Sequence, residues 1–243
     1  MSTNASSANA PDDKALWSQP RFISAAVIVG LIAVLGAVLV LSGSGDKTNT
    51  PAAAAPLPAP TSPDTPTDGE GACSLPSGDQ TVPTSSPSNT RWELVGRMIA
   101  PTAPKAHGPG REAGGFRTCF ARSPIGVLYA TVNFWAAGTA QPPAQVYRNL
   151  AAPSKARTRA INAAEGKGPR LNGLQVAGFA FSSYDPDRAS VKLAFRVQNG
   201  RLYQAEATMI WKDGDWRYEV PLDQAPPAGE VKDLNGFVTW NGS

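Results

Sequence analysis

The chain is poor in the groups that most often carry chemistry. Its 243 residues include one histidine and two cysteines. The cysteines form no C-x-x-C motif and have no histidine partners, which excludes the usual zinc and thiol-redox patterns. Charge is also sparse: charged residues make up 17% of the chain and the net charge is +3. That balance is too mild to imply a nucleic acid or an acidic lipid as partner. Large apolar groups are missing from Gly43 to Gly71, where there is no aromatic residue and Leu57 is the one large aliphatic. Such a stretch cannot bury enough area to offset chain entropy, so residues 42–72 are expected to be a disordered linker rich in Pro, Ala and Thr. Proline biases it to extended conformers of about 3.1 Å per residue, a reach of roughly 90 Å.

Charge is wholly absent from Phe22 to Leu41 (FISAAVIVGLIAVLGAVLVL). A helix of that length is about 30 Å long, the thickness of a bilayer's hydrocarbon core. The run is longer than the apolar core of a secretory signal, although Ser42-Gly43-Ser44 could be cut. A lipid-attachment box fails because Ser44 stands where its cysteine must be. Residues 22–41 are therefore expected to be a retained single transmembrane helix, with Trp17 near the headgroups. Lys14 and Arg21 before the run, against Asp46-Lys47 after it, favour a cytoplasmic tail at 1–21 and an extracytoplasmic C-terminal domain at 73–243. The lipid bilayer is then one partner.

On that outer side Cys73 and Cys119 are expected to form a disulfide. Closing a loop of forty-odd residues contributes about 4 kcal/mol in the chain-entropy model. The bond would pin the Ser/Thr/Pro-rich lead-in, Leu75 to Asn89, onto a core spanning about 91–222.

The rest of the domain divides by period. Ser123 suits a helix N-cap, Pro124 the first helical position and Gly138 a C-terminal stop, and apolar residues nearly encircle the helix between them. A second helix starts near Pro142-Pro143 and ends before Pro153; a third covers about Ser154 to Glu165. From Leu174 the period becomes two. Phe179 and Phe181 lie on one strand, with a turn at Asp185-Pro186-Asp187; Val191 to Val197, Tyr203 to Trp211 and Trp216 to Val220 supply three more. A two-residue Asp213-Gly214 loop pairs Lys212 with Asp215, Trp211 with Trp216 and Met209 with Tyr218. At Asn199-Gly200 a two-residue loop would set Leu193 beside Glu206. A three-residue loop with Gly200 left-handed instead pairs Leu193 with Ala205 and Lys192 with Glu206. The expected fold is α+β: a cone of about three helices packed on a curved antiparallel sheet of about four strands. Trp92 to Val95 would add an edge strand or pack over the sheet.

Candidate chemistry is thin. His107 sits among glycines without a serine or cysteine partner. Asp185, Asp187, Asp213 and Asp215 frame hairpins, where Asp is a turn former. Gly108, Gly110, Gly114 and Gly115 form no phosphate-binding signature and read as an irregular loop. No catalytic residue, metal site or cofactor is expected. The strongest charge feature is the basic set Arg148, Lys155, Arg157, Arg159, Lys167 and Arg170. Arg148, Lys155 and Arg159 are the candidate interaction surface, with Arg157 pointing nearly opposite. No aromatic interleaving suggests nucleic-acid binding.

A short inner tail, one span, a proline-rich spacer and a helices-then-sheet outer domain resemble the bitopic scaffold proteins of type IV secretion and Gram-positive conjugation machines. Their outer domains are nuclear-transport-factor-like cones. More narrowly, Trp92…Gly96-Arg97, His107-Gly108-Pro109, Phe120-Ala121-Arg122-Ser123-Pro124-Ile125-Gly126 and Ala130-Thr131-Val132-Asn133 resemble an actinobacterial family associated with mobile elements. The resemblance implies a non-enzymatic assembly factor whose partners are protein subunits of an envelope complex, or other copies of itself as a homo-oligomer. It carries no catalytic residues. Accessory subunits of mammalian-cell-entry-type lipid importers share the layout and are an alternative. A small-molecule-binding or enzymatic cone is another; it requires an acidic or tyrosine group inside the apolar face, where Tyr203 and Tyr218 are available, but the register puts Glu206 outside.

Overall fold

The computed structural model describes residues 73, 75–169, 171, 173–222 and 228–242. The apolar run at 22–41 and the linker lie outside them. Among the described residues no helix is long and apolar enough to cross a membrane. The architecture is α+β, three helices packed against antiparallel sheets.

Two hairpins come first: β1 (Arg91–Val95) with β2 (Met98–Thr102), and β3 (Arg111–Ala113) with β4 (Phe116–Thr118). Trp92 to Val95 thus pairs with β2 rather than with the main sheet. The turn of the second hairpin is Gly114-Gly115, both left-handed (φ 59° and 78°). Expected as part of an irregular loop, this pair instead supplies the two positive φ values of a tight hairpin turn.

Helix α1 (Pro124–Ala140) begins as its sequence demands: Ser123 Oγ accepts from Gly126 N at 3.1 Å, and Pro124 opens the first turn. Thirteen of its seventeen residues are buried. Its polar side chains are absorbed locally: Thr131 donates to Val127 O at 2.7 Å, and Asn133 Nδ2 to Tyr129 O at 2.9 Å and Pro101 O at 3.1 Å. The expected stop at Gly138 is incorrect. The helix runs on to Ala140, and Gly138 is a close approach, since a Cβ there would lie 2.9 Å from Leu171 Cδ1. Helices α2 (Pro143–Leu150) and α3 (Lys155–Ala164) follow. Ser154 caps α3 by accepting from Arg157 N, and the buried stripe Ala156, Ala160 and Ala164 faces inward.

The expected meander is present as β5 (Gln175–Asp185), β6 (Arg188–Arg196), β7 (Leu202–Lys212) and β8 (Asp215–Tyr218). Both hairpins have the register their turns demand: Trp211 faces Trp216, Met209 faces Tyr218, Leu193 faces Ala205 and Lys192 faces Glu206. Gly200 is left-handed at φ 82°. The sheet has six strands rather than about four. β9 (Ala228–Val231) pairs with β7 over Leu202–Ala205, and β10 (Val238–Thr239) pairs with Phe179 and Gly178 of β5. The core accordingly extends beyond residue 222 to Trp240, which is 4% exposed.

Candidate interaction surface

The structure divides the basic set by what each group already does. Arg157 is half-buried; its Nε donates to Tyr147 O at 3.0 Å and its Nη2 to Arg148 O at 2.6 Å. Arg217 Nη1 donates to Asn149 O at 2.8 Å. Two guanidiniums therefore satisfy three consecutive carbonyls in the last turn of α2, where the helix dipole favours positive charge. Sequence spacing set Arg157 apart from the rest but carried no signal for this capping role. Arg148 is ion-paired with Glu165 at the end of α3. Lys155 and Arg159 are exposed and make no hydrogen bond or ion pair among the described residues. Of the three candidate residues, these two remain available to a partner. Lys167 is half-buried, and Arg170 lies outside the described residues.

The same helical layer holds an apolar cleft between α1 and α2, lined by Phe134, Trp135, Gly138, Pro143, Val146, Tyr147 and Leu171. Its volume is about 30 Å³, far below the roughly 300–1,000 Å³ of small-molecule pockets. Its floor is aromatic. Phe134 stacks on Tyr218 at 4.4 Å between ring centroids, and Tyr147 lies parallel to Tyr218 at 6.5 Å. Burial, with smaller contributions from Tyr147 and Glu219, pushes the Tyr218 hydroxyl well above its ordinary value. Tyr218 therefore stays protonated and serves packing. The indole Nε1 of Trp135 is buried without a hydrogen-bond partner.

The titratable candidates do not converge. Glu206 is half-buried and faces Lys192, between the buried Ala205 and Ala207, so it belongs to the outer face of the sheet as its register requires. His107 packs edge-on against Tyr129 at 5.6 Å, and desolvation holds its pKa below the ordinary value. Asp213, with φ 54°, is a turn former as expected. Asp215 is more than that. It is 4% exposed, and its carboxylate accepts from the backbone N–H groups of Cys119, Phe120 and Trp216, each at 2.9 Å. Burial raises its pKa, opposed by the Cys119 and Phe120 N–H groups and by Arg217. Two of its three partners lie 95 and 96 residues away, so local spacing showed only its turn.

Asp215 thereby secures the strand end that carries the disulfide. Cys73 and Cys119 are joined, with S–S 2.00 Å across 46 residues of sequence. Cys119 adopts φ 67°, a left-handed conformation unusual for a side chain larger than glycine. Two charge-assisted hydrogen bonds, donated by the Cys119 and Phe120 N–H groups to the Asp215 carboxylate, hold the backbone there. The lead-in beyond Cys73 lies on the domain: Gln80 bonds to Arg122 O and Tyr184, and Ser86 to Thr239 O.

No curated protein and no solved structure matches the chain. A family model described as a domain of unknown function, DUF8175, matches residues 49–239. That match spans most of the sequence, and the chain belongs to the DUF8175 family.

Proposed function

We propose that this chain is a non-enzymatic, single-pass membrane protein that presents an extracytoplasmic protein-interaction domain, an assembly component of a conjugative-transfer or secretion apparatus. The observation that carries the reading is the Cys73–Cys119 disulfide. A bond of this kind persists in an oxidising compartment, which agrees with the orientation argued from Lys14, Arg21 and the apolar run at 22–41. The exposed Lys155 and Arg159, beside helix ends already neutralised by Arg148, Arg157 and Arg217, supply a basic contact point for an acidic subunit surface.

The cleft beside Leu171 is itself too small for a ligand, since about 30 Å³ admits little more than a pair of waters. The test is in-membrane crosslinking of the tagged full chain, followed by identification of the captured proteins. Conjugation or secretion subunits are expected, with capture reduced severalfold by the Lys155→Glu/Arg159→Glu double variant. Recovery of lipid-import permeases alone would replace the apparatus. Labelling of Lys155 and Arg159 positions from the cytoplasmic side alone would overturn the topology.

A further inference from the structure

Strand β1 has an open edge. It is joined to β2 by the two-residue turn Gly96-Arg97, so Val95 and Met98 close the hairpin as a hydrogen-bonded pair, with Glu93–Ala100 and Arg91–Thr102 repeating it. Pro101, which lacks an N–H, accordingly stands opposite Trp92 at a non-bonded position. The backbone N–H and C=O groups of Trp92 and Leu94 therefore point away from β2. Among the described residues no backbone group bonds to them. In the main sheet the edge of β8 is engaged by Ala152 N, which donates to Tyr218 O at 2.9 Å, and β5 is covered by β10. An unprotected edge is a template for another strand. Leu94, at 71% exposed, is the most exposed large hydrophobic residue described.

The charges on β1 indicate which strand would fit. Arg91 is exposed and makes no ion pair among the described residues. Glu93 is half exposed; its Oε2 accepts from Arg117 at 2.6 Å, and Oε1 has no partner among the described residues. Antiparallel pairing about a two-fold axis at Trp92 sets Arg91 opposite Glu93 of the second copy, twice. It also sets Leu94 beside Thr90, and brings the outward groups of Trp92 into mutual hydrogen bonding. A shift that centres the axis on Glu93 would oppose two carboxylates instead. Cross-strand pairs of opposite charge stabilise such a register, and like charges destabilise it.

We propose that the outer edge of β1 is a homodimer interface, a second copy of this chain adding its own β1 antiparallel in the register Arg91 to Glu93. The proposal rests on the domain being an interaction module, but its test is separate: assembly state reports on β1, and the captured subunits report on the apparatus.

The test uses the full chain in detergent. Arg91→Cys and Glu93→Cys, placed on differently tagged copies and co-expressed, face each other at a non-bonded position close enough for a disulfide. A mixed crosslinked dimer is expected, with neither variant crosslinking to itself. Leu94→Pro removes only an outward N–H and spares the β2 ladder. It should weaken dimerisation at least tenfold with an unchanged melting temperature. A wild-type monomer at micromolar concentration, absence of the mixed crosslink, or a dimer undiminished by Leu94→Pro would overturn the proposal. If Leu94→Pro lowers the melting temperature, the crosslink pair decides alone.

Discussion

Helix α1 passes between two aromatic clusters that are finished differently. Around Tyr129 the cluster is closed: Trp240 packs against Trp92 at 4.7 Å, Phe179 at 5.6 Å and Tyr129 at 5.8 Å, and is itself buried. Around Phe134 and Trp135 the cluster is similar in content but ends in the cleft beside Leu171. Each cluster contains one indole N–H, of Trp240 and of Trp135, buried without a partner. The difference is who supplies the cover. The sealed cluster borrows Trp240, the residue just after strand β10, whereas among the described residues the open one is lined by its neighbouring helix and the strand-entry residue Leu171. Closure of this domain is thus a long-range achievement at one end and a local one at the other.

Removing the cover should separate the two most sharply. Trp240→Ala is expected to destabilise by about 3–5 kcal/mol, the range for a fully buried large aromatic. Trp135→Ala, partly exposed, should lose about half as much. Denaturant titration of both variants checks this, and equal losses would show that the ends are energetically alike. A gentler change acts on the open end. Gly138→Ala recovers up to about 1 kcal/mol of helix propensity, and its methyl group meets only the flexible tip of Leu171. A small rise in melting temperature is expected there; a fall would mean that the cleft is already rigidly packed.

The smallest effect belongs to the sealed end and to pH. Desolvation lowers the pKa of His107 in the folded state below its unfolded value of 6.5. The unfolded chain therefore takes up the proton first. The stability associated with neutral His107 is complete above pH 6.5 and is lost as pH falls through the lower folded pKa. Stability should decline as pH falls below 6.5, and His107→Phe should flatten that slope. An unchanged slope in the variant would assign the decline to other groups.

What the sequence revealed depended on how local each determinant is. The cap at Ser123, the turn at Asp213-Gly214 and the choice of a three-residue loop before Arg201 follow from neighbours in the chain, and the structure reproduces them. The helix end is not legible, because Gly138 looks the same in sequence whether it stops a helix or makes room for Leu171. β9 and β10 were missed because four and two residues are too few to show an alternating period. Asp215 and Arg157 carried no local sign of their roles, since their hydrogen-bond partners lie on other elements. The exposed Lys155 and Arg159 were legible as charge, but their freedom depends on Arg148 being taken by Glu165.

The disulfide also has a mechanical consequence. A pull arriving along the chain from the N-terminal side reaches the fold at Cys73 and passes directly to Cys119. There the backbone N–H groups of Cys119 and Phe120 are tied to the Asp215 carboxylate, so the load passes on to β8. Without the bond the same pull would first load the hydrogen bonds of Gln80 and Ser86 and, once these broke, enter at Arg91, the end of a two-stranded hairpin, and unzip β1 from β2 one pair at a time. The seventeen residues from 74 to 90 would meanwhile pay out as slack, about 60 Å when fully extended. One covalent link thus fixes both the length of the leash and the direction in which the domain resists it.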